Sequence, residues 1–222
     1  MTASAVTAEI KFMKTIIYKL DGTDNDIKYI KECAEIIRSG GTAAFPTETV
    51  YGLGANALDE EACRKIYCAK NRQPDKALLC HLYSVEQAER IAYLTDIERR
   101  LIMTFTPGPL TVIARKRDCI GKTVSAGGTT VGLRFPSNRV ALLLMREAGI
   151  PIAAASANIS DLPAPTDAEE VIGYLDGRID AILDCGKTGS GIASTIISAE
   201  NGLRIIREGS ITEEEILRAM KA

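Results

Sequence analysis

Short aliphatic and β-branched runs alternate with helix-period stretches along most of the 222 residues, and this alternation constrains the fold more than any other feature. Residues 15–20 read as a strand. Residues 24–38 place Ile27, Ile30, Ala34 and Ile37 on one helical face, and Gly40-Gly41 stops that helix. Residues 42–46 form a short apolar strand, Asp59 caps a helix to about Ala69, and residues 78–82 are strand again. Four capping boxes mark further helix starts: Ser84-x-x-Gln87, Thr95-x-x-Glu98, Thr166-x-x-Glu169 and Thr212-x-x-Glu215. Residues 110–115, 131–135, 152–155, 181–184 and 195–198 read as strands, and residues 139–148 as a helix. Asn201-Gly202 between two β-branched runs predicts a hairpin. Strands interspersed with helices and closed by a hairpin predict a single α/β domain with a twisted mixed sheet flanked by helices.

Composition narrows the function classes. Hydrophobic residues make up 46% and charged residues 25%, which is ordinary for a globular chain and argues against extended disorder. A net charge of −2 argues against a protein that coats nucleic acid, though a local basic groove remains compatible with it. The six cysteines form no C-x-x-C pair, so zinc-ribbon spacing is absent. No secretory signal or membrane-length apolar run is visible, which predicts a cytoplasmic protein with reduced thiols. Residues 1–12 read as a loose tail ahead of a domain at 13–222, with Met13 as an alternative start.

Several polar clusters sit where chemistry could occur, and each also has a plain structural reading. Pro46-Thr47-Glu48-Thr49-Val50-Tyr51-Gly52-Leu53-Gly54 is either a ligand loop at a strand end or a tight strand-to-helix connection. Lys70, Arg72 and Lys76 suit a triphosphate, or complement a helix C-terminus. His81, the only histidine, ends an apolar strand and is either a site residue or structural. Thr130 and Arg134 are four apart on one strand and so share a face; Arg134 could grip an anion or form an ion pair. Ser156-Ala157-Asn158 follows an apolar strand as a ligand loop or an Asx turn. Pro107-Gly108-Pro109-Leu110-Thr111 reads as scaffold. Gly186-Lys187-Thr188 lacks the earlier glycine of a P-loop, since position 181 is Ala181. Gly52-x-Gly54 lacks the third glycine of a dinucleotide fingerprint.

Taken in order, these motifs resemble the threonylcarbamoyl-AMP synthases of the YrdC-like family. The run 46–54 is followed by Lys70-x-Arg72, His81, Pro107-Gly108-Pro109-Leu110-Thr111, Arg134-Phe135-Pro136, Ser156-Ala157-Asn158-Ile159-Ser160, Ser194-Thr195 and Arg207-x-Gly209. The match spans roughly residues 15–211, and its length points to the short, bacterial-type, single-domain form. The resemblance implies a sheet around a deep concave cleft. It also implies a reaction in which L-threonine, bicarbonate (or CO2) and ATP give threonylcarbamoyl-AMP and pyrophosphate. Partner proteins would then pass the threonylcarbamoyl group to tRNA, and direct tRNA contact is left open.

Carried over by position, Lys70 and Arg72 look catalytic. Lys70, Arg72, Lys76, Thr130, Ser156, Asn158 and Arg207 look like the ATP side. Thr49, His81, Arg134 and Ser194 look like the threonine pocket. Mg2+ would be held through the phosphates, with no protein metal site. The sequence departs from the family pattern at Gln73, Ala77, Thr106, Asp161 and Glu208; Asp161 replaces a usual glycine, and Glu208 puts an anion beside Arg207. Two rivals remain: a non-catalytic double-stranded RNA or tRNA binder, and an adenylating enzyme for another carbamoyl substrate, as in hydrogenase maturation factors.

Overall fold

Strands and helices alternate along the computed structural model, which describes residues 14–189, 191–200 and 202–221. The expected tail at 1–12 and the start at Met13 lie outside the described residues. The strands are β1 (Ile16–Lys19), β2 (Ala43–Pro46), β3 (Tyr51–Asn56), β4 (Leu79–His81), β5 (Ala92–Tyr93), β6 (Leu110–Lys116), β7 (Thr130–Arg134), β8 (Ile152–Ser156), β9 (Ala181–Asp184), β10 (Thr195–Ser198) and β11 (Arg204–Arg207). The helices are α1 (Asp26–Arg38), α2 (Glu60–Lys70), α3 (Val85–Ile91), α4 (Asp96–Phe105), α5 (Lys122–Ser125), α6 (Arg139–Ala148), α7 (Ala168–Leu175) and α8 (Glu213–Lys221). One sheet takes the order β1-β9-β2-β3-β8-β4-β7-β6-β10-β11, with β5 paired to β6. It is mixed: β6 and β7 run antiparallel, for example, whereas β4 and β7 run parallel.

Local chemistry accounts for the helix ends. Asp59 accepts from the amides of Glu61 and Ala62, and Asn71 closes α2 in a left-handed conformation at φ 51°. Thr95 and Glu98 form a full capping box, as do Thr212 and Glu215. Ser84 caps α3, but the Gln87 carboxamide accepts from Tyr83 instead, so that box is half made. The expected box at Thr166 is shifted by one residue. Asp167 is the N-cap of α7, and the Glu170 carboxylate accepts from the Thr166 amide at 2.6 Å. An Asp one step on offers the same spacing with a stronger acceptor. β10 and β11 pair antiparallel as the hairpin expectation requires; Asn201 in their connection lies outside the described residues.

Register sorts the sheet's side chains onto two faces. Ala44, Leu53, Ala55, Cys80, Val112, Leu133, Ala153 and Ile197 join the larger core with α2, α3, α4 and α7. Phe45, Ile152 and Ala154 point the other way and pack against α1 and α6. Fully burying Ile30 and Ile37 of α1 is worth roughly 1.5–3 kcal/mol each. That exceeds the helix-propensity cost of a β-branched residue, under about 0.7 kcal/mol. α1 and α6 cover only part of this second face. Beyond them Gly52, Leu79, His81, Arg134, Ser156 and Ile196 line an open concavity. All six cysteines are free, and Cys33, Cys63 and Cys80 are buried. Among the described residues no helix is long and apolar enough to cross a membrane.

Candidate functional site

The concavity has a volume of about 340 Å³, within the usual span for a small-molecule pocket. Its sheet-borne wall is made of small residues with a few polar ones set among them. A Cβ at Gly54 would come 2.6 Å from Ile152 Cγ2 and 2.8 Å from Phe45 Cε1, so only glycine lets β3 lie flat there. The run 46–54 is not a strand-to-helix connection, one of the two readings its sequence allowed. It is a hairpin: β2 ends at Pro46, residues 47–50 turn, and β3 runs back antiparallel with Gly52 opposite Phe45. The Thr47 hydroxyl ties the turn together. It donates to Val50 O at 2.6 Å, lies 2.8 Å from Thr49 Oγ1 and accepts from the amides of Thr49 and Val50. That fixes Thr49 on the cavity wall.

Arg134 and His81 are cross-strand neighbours in the parallel β4–β7 pair. They are 2% and 7% exposed, respectively. Arg134 Nη2 forms an ion pair with Glu48 Oε1, and Glu48 Oε2 accepts from the Ser137 amide at 3.0 Å. Arg134 Nε and Nη1, and His81 Nδ1, are buried without a hydrogen-bond partner. Unsatisfied buried polar atoms are few in folded proteins and costly. Three of them lie on two paired residues of one cavity wall. Burial pushes the Arg134 guanidinium down from its ordinary pKa, and the Glu48 carboxylate opposes that shift. Burial, reinforced by the Arg134 charge, pushes the His81 imidazole down to about 3, so the ring is neutral at pH 7 and can accept a hydrogen bond. Phe45 meets it edge-on with centroids 5.9 Å apart.

A hydroxyl pair extends this wall. Thr111 Oγ1 and Ser194 Oγ are 2.9 Å apart, and both residues are buried. Arg207 crosses over them, donating from Nη2 to Ser194 O at 2.8 Å and to Ser194 Oγ at 3.2 Å. Among the described residues, Glu208 forms no ion pair with Arg207.

The opposite rim is carried by loops. Arg72 donates from Nε to Lys76 O at 2.9 Å and from Nη2 to Ala77 O at 2.7 Å, so backbone carbonyls hold its guanidinium at the cavity edge. Ser156 ends β8 on the lining. Lys70 is 1% exposed. Its ammonium donates to Ser156 O, to Asn158 O at 2.6 Å and, more weakly, to Asn158 Oδ1 at 3.4 Å. Burial and then the charge of Arg72 push Lys70 down to about 7. Asn158 Nδ2 in turn donates to Ile159 O and Leu162 O.

Of the eleven residues expected from the sequence, the cavity wall brings together seven: Thr49, Arg72, His81, Arg134, Ser156, Ser194 and Arg207. Lys70, Lys76, Thr130 and Asn158 do not line it. Lys70 and Asn158 lie behind the wall and brace it. Lys76 points outward to Asp161 at 2.9 Å, and Asp161 holds φ 68°, which explains why glycine is usual at that position. Thr130 shares the face of Arg134 but lies four residues along the strand, about 13 Å away. Sequence reasoning gave no role to Glu48, although it stood inside the quoted motif, and took Thr111 as scaffold. No pattern in the sequence couples Glu48 to Arg134, 86 positions on. Among the described residues no group of three His, Cys, Asp or Glu side chains converges as a metal site.

Comparison with known proteins gives a consistent picture. Residues 35–209 match the family model covering Sua5, YciO and YrdC proteins, described as "Telomere recombination". The threonylcarbamoyl-AMP synthase of Bacillus subtilis is 44% identical over 211 residues, covering 92% of this chain and 61% of that protein. The threonylcarbamoyl-AMP synthase of Pyrococcus abyssi is 43% identical over 189 residues, covering 84% of this chain and 56% of that protein. The chain thus spans about three-fifths of the length of these relatives. The crystal structure of P. abyssi Sua5 complexed with L-threonine superposes with a TM-score of 0.88 at 39% identity, covering 94% of this chain and 61% of that one.

Proposed function

The chain belongs to the Sua5/YciO/YrdC family, and on that premise we propose that it is an L-threonylcarbamoyladenylate synthase, a nucleotidyltransferase that serves threonylcarbamoyladenosine modification of tRNA. The observation that carries the reading is Arg134: a buried guanidinium on the cavity wall, with two nitrogens unpartnered and a neutral His81 beside it. A threonine carboxylate satisfies Arg134 through charge-assisted hydrogen bonds, and the threonine amine can donate to His81 Nδ1. Thr49 and Ser194 supply hydroxyls for the side chain. Names and ligands of the relatives support the same substrate.

The chemistry runs in two steps. The neutral amine of threonine bonds to the carbon of CO2, one C–O π bond of CO2 takes up its electron pair, and the nitrogen passes a proton to solvent to leave the carbamate. A carbamate oxygen then bonds to the α-phosphorus of ATP while the bond to the β-phosphate oxygen breaks, and pyrophosphate leaves with that electron pair. Arg72 and Arg207 at the rim neutralise the departing charge, with Ser156 and the braced segment of Lys70 and Asn158 shaping the floor. The rim offers cations and hydroxyls, a donor set suited to phosphate oxygens, so Mg2+ would be held through the phosphates and would add charge neutralisation there. Holding both reactants in one pocket accounts for on the order of 7–11 kcal/mol of barrier lowering in well-oriented systems.

Pyrophosphate release with ATP and bicarbonate, comparing threonine with serine and the other amino acids, tests the reading. Release that requires threonine supports it. Salt-sensitive RNA binding without release would move the protein to the RNA-binding class, and release only with a different carbamoyl donor would move it to the other adenylating reaction.

A further inference from the structure

Glu48 makes the single ion pair of Arg134 among the described residues, and it does so from the tip of a turn that the Thr47 hydroxyl locks in place. Its side chain is 19% exposed. One oxygen holds Arg134 Nη2 on β7, and the other accepts from the Ser137 amide where the chain leaves β7 for α6. With both oxygens held, the carboxylate fixes where the Nη2 end of the guanidinium sits. The nitrogens left over, Nε and Nη1, are the ones without a partner. Glu48 also supplies a negative charge that offsets part of the cost of burying the guanidinium near the positive charge of Arg207.

Resting on the function proposed for this cavity, we infer that Glu48 is a positioning residue for the amino-acid substrate. It holds Arg134 turned so that an unpaired guanidinium nitrogen faces the threonine carboxylate, and it thereby sets affinity for threonine while leaving ATP binding alone. The hydroxyl-rich turn 47–50 then plays two parts at once, with Thr49 facing the ligand and Glu48 facing the group that binds the ligand.

Glu48→Gln tests this, since it keeps length and an acceptor oxygen while removing the charge. Pyrophosphate release by the variant is measured with threonine and ATP varied in turn, beside thermal melting. The expected result is a rise in KM for threonine of about tenfold or more, with KM for ATP and kcat at saturating threonine within about twofold of wild type. An unchanged KM for threonine overturns the inference. So does a fall of all constants together with the melting temperature, which would make the role structural. A lowered KM for threonine also overturns it, because Glu48 would then be occupying the substrate's place. If the Gln variant does not fold, Glu48→Asp keeps the charge but shortens the reach, and the same split between the two substrates is expected. Wild-type protein is the control that separates the two claims: no threonine-dependent release there sinks the proposed function, whereas normal release without the split sinks only the role of Glu48.

Discussion

The two sides of the cavity are built in opposite ways. On the side proposed for threonine, His81, Arg134 and Thr111 project from strands β4, β7 and β6, where register fixes each position, and Glu48 and Ser194 lock onto them. All but Glu48 are buried. On the side proposed for ATP, Arg72 lies in the loop after α2, and Arg207 closes an edge strand. The guanidinium groups of Arg72 and Arg207 are held by backbone carbonyls rather than by carboxylates. The contrast fits the proposed ligands: a rigid wall with few degrees of freedom suits selection of a small amino acid, and cations free of carboxylate partners suit a long, highly charged nucleotide.

The largest effects should come from the loop side, and they separate two cations that the sequence makes look alike. Arg72→Ala and Lys70→Ala are both expected to abolish threonine-dependent pyrophosphate release, but only one should disturb the fold. Arg72 sits at the edge, so its loss should leave the melting temperature near wild type. Lys70 satisfies carbonyl oxygens of Ser156 and Asn158 from a buried position, and leaving such acceptors unpaired costs about 1–3 kcal/mol. Lys70→Ala should therefore melt measurably lower. Equal melting of the two variants would break the distinction between a bracing and an edge cation, and turnover retained in both would remove them from the ATP side.

The rigid side is probed by Arg134→Ala. Truncating one member of a buried, hydrogen-bonded charge pair typically costs about 2–5 kcal/mol, roughly thirty-fold to several thousand-fold in an affinity. That loss should fall on threonine and spare ATP. Steady-state titration of each substrate reads the ratio, and equal losses for both would erase the division of the cavity into two sides.

How far the sequence reaches follows the same division. Positions at strand ends were legible, because an apolar run that stops at His81, Arg134 or Ser156 announces both the strand and its polar terminus. The mixed sheet and most helix starts were legible for the same reason, through periodicity and caps. β3 was not, because Tyr51-Gly52-Leu53-Gly54 carries two glycines, which are poor strand formers, and it becomes a strand only through pairing with β2 on one side and β8 on the other. Face was legible for Thr130 and Arg134, but distance along the strand from the cavity was not. The direction of Lys70 was hidden as well: a lysine at a helix C-terminus ordinarily reaches into solvent, and here the chain 86 to 88 residues later folds over it. Glu48 had no visible partner until the sheet brought β7 beside its turn.

The expected effect that is smallest at neutral pH concerns His81 and is seen in stability against pH. Its imidazole is held at about 3 in the folded protein against 6.5 in an unfolded chain. Between those values the unfolded state binds one more proton than the folded state, so stability rises with pH across the window and is lost as pH falls from 6.5 toward 3. Above pH 6.5 the ring is neutral in both states and contributes no slope. Denaturant unfolding at stepped pH should show this one-proton dependence in wild type, and His81→Asn, which has no titrating group, should flatten it over that window while the other carboxylate-driven slopes persist. The same neutrality predicts that KM for threonine has no histidine inflection between about pH 5 and 8, the range in which an unperturbed imidazole changes charge. An inflection near 6.5 that vanishes in His81→Asn would mean that the ring titrates at its ordinary value and carries a proton beside Arg134, and the rigid wall would then hold two adjacent cations rather than one cation and one acceptor.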